Sequence, residues 1–103
     1  MRFNDIKFER TKSPNGIQAL LDFGPYELSI ICNDMSYGHK SGLFEIAVFR
    51  DNELIELPGI TQEGDTVKGF LNQSQVEAII QKMFLITAIN PVQAQVRNME
   101  VAE

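Results

Sequence analysis

Chemistry near neutral pH draws on a nucleophile, a titrating base or a set of metal ligands. This chain offers one cysteine, Cys32, and one histidine, His39. A disulfide framework or a Cys/His zinc site within one chain needs several such residues, so both are excluded. Cys32 closes the alternation Tyr26, Leu28, Ile30, Cys32, which predicts a buried, inert thiol. The alternative is a Cys32–His39 pair across the intervening loop. It would also need an orienting group and an oxyanion site, and the sequence displays neither.

Two further motifs fail on spacing, and a third has nothing to single it out. Gly38-His39-Lys40-Ser41 resembles the end of a phosphate-binding loop, but His39 separates the glycine from the lysine and Asn33 stands where the first glycine belongs. A calcium loop starting at Asp51 would need glycine at its sixth position, which is Glu56. Glu27 and Glu45 could face each other on neighbouring strands as an acid–base pair, although solvated carboxylates on a sheet face look the same in sequence. The expectation is therefore no catalytic residue, no metal and no cofactor. The densest mixed cluster is Asp34, Tyr37, His39 and Lys40. An aromatic ring among charged groups on a loop fits a binding surface, and a solvated loop is the plain alternative.

Periodicity supplies the elements that would position that loop. Residues 1–10 read as a first strand with Ile6 and Phe8 on one face. Ser13-Pro14-Asn15-Gly16 predicts a turn, with Asn15-Gly16 taking the left-handed conformation. Residues 17–23 and 26–33 alternate with a period of two and are predicted as strands. Gly24-Pro25 between them is either a hairpin turn or a kink, and the hairpin is preferred. Leu43–Phe49 is apolar on both faces apart from Glu45 and predicts a central strand. Asp51-Asn52 suits a two-residue turn into a strand over 54–57. Val67–Leu71 is a short strand or the approach to a helix.

Val76, Ile79, Ile80, Met83, Phe84 and Thr87 lie on one helical stripe and predict a helix over 73–88. Asn72 with Gln75 forms a capping box, with Ser74 and Glu77 as a competing one. Asn90-Pro91 suits a new helix start, with Val92, Val96 and Met99 on one side, or else begins a frayed tail. The fold class is thus α+β: a two-layer domain over residues 1–90, with an antiparallel meander of four to five strands under one amphipathic helix. Residues 91–103 are a tail or a short second helix. One helix is thin cover for a sheet, and the apolar remainder suggests an interaction protein.

Charge narrows the partners. Residues 1–20 carry a net +2, residues 21–65 a net −7, and residues 66–103 balance, giving −5 over 103 residues. No basic run exists to contact phosphates, so a nucleic-acid partner is not expected. Neither a secretory signal nor a membrane-length apolar segment stands out, and a cytoplasmic location is expected.

Phe23-Gly24 with Tyr26–Ile30, Tyr37-Gly38, Gly42–Val48, Gly64–Leu71 and the helix opening Val76–Ile80 together resemble small accessory proteins of uncharacterised role encoded by tailed phages and prophages. The pattern spans residues 17–86, and Pro25 and the segment after Asn90 lie outside it. The resemblance implies a bacterial host cell as the setting and transfers no catalytic residue. The expected function is non-enzymatic binding of a host or phage protein, through the Asp34–Lys40 loop and the acidic stretch Asp51–Asp65. The alternatives are a self-assembling component, such as a homodimer, and a small-ligand binding module.

Overall fold

Alternating apolar side chains pair strand with strand wherever a short turn allows it, and most of this chain is built that way. The computed structural model describes residues 1–96. Its strands are β1 (Glu9–Lys12), β2 (Asn15–Asp22), β3 (Glu27–Asn33), β4 (Phe44–Arg50), β5 (Glu53–Ile55), β6 (Val67–Leu71) and β7 (Val92–Ala94), with one helix, α1 (Gln73–Thr87). The sheet order is β1-β2-β3-β4-β5, with β6 on β4 and β7 on β2, and every strand pair is antiparallel. β3 occupies one edge of β2, so β1 and β7 share the other, β1 beside residues 15–18 and β7 beside residues 20–22. In the same way β5 and β6 share the outer edge of β4. The sheet therefore has seven strands but is five wide. The expected α+β meander under one helix is observed, with two strands more than the sequence indicated.

The hairpins follow residue chemistry. Phe23 N donates to Tyr26 O across Gly24-Pro25 (2.8 Å), closing the preferred hairpin. Asp51 and Asn52 both take positive φ (53° and 66°), as a two-residue turn that matches strand twist requires. The first hairpin differs from expectation: Lys12 pairs with Asn15, so Ser13-Pro14 makes the turn and Asn15-Gly16 already belongs to β2. The first strand also starts later, because Phe3–Asp5 forms a short 3-10 turn. That turn brings Phe3 and Phe8 onto Phe44, with centroids 5.2 and 5.6 Å away.

Ala19, Leu21, Phe23, Leu28, Ile30, Ile46 and Val48 project from one sheet face and are fully buried. Val76, Ile79, Ile80 and Met83 of α1 join them in one core. Each of these four helix side chains contributes about 1.5–3 kcal/mol, more than a cap typically supplies, so packing holds the helix and the cap sets where it begins. The box formed is Asn72–Gln75: Gln75 N donates to Asn72 Oδ1 (2.9 Å) and Asn72 N to Gln75 Oε1 (2.8 Å). Glu77 accepts from Phe3 N (2.6 Å) instead of capping Ser74. Phe84, expected in the buried stripe, sits at its exposed margin.

Asn90-Pro91 does not open a second helix. Val92–Ala94 pairs with Leu20–Asp22, so the sheet extends beyond the boundary expected at residue 90. The segment is held by Gln93, whose side chain accepts from Lys7 N (3.0 Å) and donates to Lys7 O. A two-sided amide clasp of this kind gives local helical spacing nothing to compete with. Met99 lies outside the described residues.

Urea unfolding checks this ranking of packing and caps. Ile80→Ala should cost about 2–5 kcal/mol and Asn72→Ala about 1 kcal/mol. Ser74→Ala should stay within about 0.5 kcal/mol, as a surface change away from any cap does.

Candidate interaction surface at the β4–β6 bulge

The pairing of β4 with β6 is interrupted at one point. Phe44 faces Leu71 and Ile46 faces Lys68, so Glu45 alone stands against both Gly69 and Phe70. Such a bulge re-aims the side chain of the inserted residue. Phe70 takes φ +58° and is 64% exposed. For a bulky residue that conformation costs about 1–3 kcal/mol, so the surroundings must impose it.

The loop between β3 and β4 does so. Tyr37 N donates to Glu45 Oε1 (2.8 Å), and Tyr37 O accepts from Phe70 N (3.3 Å). One residue of the loop is thus tied to both sides of the bulge. Two glycines permit this approach. A Cβ on Gly69 would lie 2.5 Å from Tyr37 Cβ. A Cβ on Gly38, which has φ +91°, would lie 2.9 Å from Leu43 Cβ and 3.1 Å from Phe70 Cα.

The loop is itself a hydrogen-bonded unit. Ser36 is buried, its Oγ accepting from Asn33 N (2.9 Å) and donating to Asn33 O (3.0 Å). Asn33 Oδ1 accepts from Met35 N (2.9 Å), and Asp34 N donates to Asn15 O (3.0 Å). His39 Nδ1 lies 2.8 Å from Ser36 O. A carbonyl oxygen only accepts, so Nδ1 is the protonated nitrogen. His39 therefore braces the loop.

The product is an aromatic pair on the surface. The Tyr37 and Phe70 rings stack with centroids 6.2 Å apart and planes 23° apart. Tyr37 is 60% exposed. The pair lines a shallow pocket of about 260 Å³ together with Asp65, Lys68 and Gln62. Gln62 also lines a neighbouring depression of about 440 Å³ that includes Glu56 and Glu63. Both depressions lie along the acidic stretch singled out in the sequence.

Of the four loop residues nominated from sequence, the pocket lining includes Tyr37 and none of Asp34, His39 and Lys40. Asp34 and Lys40 are exposed elsewhere on the loop. Phe70 was not nominated, because Val67–Leu71 read as a short strand or the approach to the helix. The available signal was Gly69 immediately before an aromatic, where a small residue admits a close neighbour. Cys32 is half-buried rather than fully buried, packing against the core opposite Ile17. Glu27 pairs with Phe49 and Glu45 with Ile31, so the two carboxylates stand four residues out of register and do not form the facing pair considered above. Among the described residues no three His, Cys, Asp or Glu side chains gather to hold a metal, and no helix is long and apolar enough to cross a membrane.

No known protein family, curated protein or solved structure matches this chain.

Gly69→Ala should expel Tyr37 from its place beside Phe70 while the core persists. Nuclear Overhauser contacts between the two rings should vanish with the core methyl signals in place. Retained ring contacts would contradict the packing described.

Proposed function

We propose that this chain is a non-enzymatic binding module that docks a protein partner on the Tyr37–Phe70 pair. The observation that carries the reading is Phe70, an exposed aromatic at positive φ whose amide donates to Tyr37 O of another loop. Strained backbone persists where the surroundings over-determine it, and such positions cluster at binding and switching sites. Large aromatic side chains also dominate the energetics of protein interfaces. The preference for a binder over an enzyme rests on the sequence, with its single cysteine and single histidine. A phage or prophage protein working in the cytoplasm of a bacterial host is the setting we propose, on the pattern resemblance alone.

A second reading, self-association, is favoured by a different observation. On the last turns of α1, Leu85 is 77% exposed, with Phe84, Ile86 and Ile89 partly exposed nearby. Four apolar side chains so close in sequence suit packing between copies.

Affinity capture from bacterial lysate, compared with a charge-matched control, separates the two. The binding-module reading expects one protein retained in near-equal amount. That retention should fall at least about tenfold for Tyr37→Ala and for Phe70→Ala. Asp34→Ala and Lys40→Ala should bind within about twofold, since these residues lie off the pocket. Sedimentation showing a stable dimer that Leu85→Glu dissolves, with no retained protein, would favour self-association instead.

A further inference from the structure

The pocket beside the aromatic pair also constrains what its occupant must be, and this step rests on the binding-module reading. Asp65 and Lys68 line the same pocket as the two rings. The depression joined to it through Gln62 adds the carboxylates of Glu56 and Glu63. On the other side of the balance Lys82 approaches that depression, its Nζ 3.4 Å from Gly59 O. The segment from Asp51 to Asp65 that supplies most of this rim contains five acids and no Lys or Arg. Across the two joined depressions three carboxylates, Asp65, Glu63 and Glu56, stand against two ammonium groups, Lys68 and Lys82, while beside the rings themselves Asp65 and Lys68 stand one to one.

We infer that the partner presents an arginine-bearing basic segment, with one guanidinium stacked on the Tyr37–Phe70 pair and donating to the Asp65 carboxylate. The guanidinium is planar and weakly hydrated, so it can lie on a ring while its edge N–H groups bond a carboxylate. A neutral apolar side chain would use the rings but strip water from Asp65 without replacing its hydrogen bonds. An acidic segment or a phosphate would meet Asp65, Glu63 and Glu56 as like charges. The partner segment's other basic residues then follow the acidic depression through Gln62 towards Glu56.

The test uses the full chain and three synthetic peptides of alternating glycine with arginine, lysine or citrulline. Citrulline keeps one planar N–H edge, carries a carbonyl oxygen in place of the other terminal nitrogen and removes the charge. Binding is followed residue by residue through amide chemical shifts. The arginine peptide is expected to shift Tyr37, Asp65 and Lys68–Phe70 saturably. The citrulline peptide should bind at least about tenfold more weakly, and the lysine peptide should fall between them. Asp65→Asn and Phe70→Ala, each checked for an intact core by its methyl spectrum, should weaken the arginine peptide by about fivefold to tenfold.

Equal binding of arginine and citrulline peptides would overturn the cationic occupant while leaving the aromatic docking surface standing. Shifts spread evenly over Asp51–Asp65 without Tyr37 and Phe70 would reduce the effect to bulk charge and overturn the inference too. If a folded Phe70→Ala chain binds the arginine peptide undiminished, the inference falls. If that variant also captures its lysate partner undiminished, the docking reading falls with it.

Discussion

The mismatch between one residue on β4 and two on β6 is the constraint from which the rest of the surface follows. An even ladder would alternate side chains between the faces and leave Glu45 opposite a single partner. With two residues opposite it, β6 must bend, and the bend falls on Gly69 and Phe70. On its β6 side Glu45 then has no single partner, though it still pairs with Ile31 of β3, and its side chain accepts from Tyr37 N, which draws the β3–β4 loop against the strand edge. The same loop meets Phe70 directly, so displacing Tyr37 would break that contact as well. The carbonyl of Tyr37 would lose the Phe70 amide, and Phe70 would lose the contact that offsets its backbone strain.

β4 can tolerate this irregularity because it is anchored elsewhere. It pairs with β3 over residues 45–49 and sends Phe44, Ile46 and Val48 into the core under α1. Its outer edge is divided between β5 and β6, so the chain from 56 to 66 leaves the sheet and returns to it. That excursion carries the acidic residues and is itself pinned. Thr61 Oγ1 accepts from Leu57 N (2.9 Å), Ile60 is buried, and the Glu56 side chain accepts from Gly64 N. Acidic rim and aromatic pair are thus adjacent because two strands share one edge. The same economy recurs across the sheet, where β1 and β7 share the edge of β2.

Much of the fold was legible because it depends on local chemistry. Alternation set β2 and β3, a run apolar on both faces set β4, Asp51-Asn52 set a tight turn, and Asn72 with Gln75 set the helix start. What was not legible depends on distant partners. Val92–Ala94 has helical spacing in its neighbourhood, yet Gln93 finds the backbone of Lys7 and the segment becomes an edge strand. The site divides in the same way. Tyr37 could be nominated as an aromatic on a polar loop. Phe70 could not, since its exposure and positive φ arise from a loop more than thirty positions earlier in the chain. His39 illustrates the converse: it was nominated with the binding loop, and its Nδ1 is spent on the carbonyl of Ser36.

The claim on which the account turns is that Phe70 is held at positive φ. The most direct measurement compares the unfolding free energies of Phe70→Gly and Phe70→Ala. Both variants remove the ring, so the loss of stacking on Tyr37 cancels. Only alanine retains a Cβ that disfavours the left-handed backbone. The account predicts that the glycine variant is the more stable, by about 1 kcal/mol. A glycine variant less stable than alanine by about 0.5–1 kcal/mol, the usual cost of glycine in a strand, would contradict it.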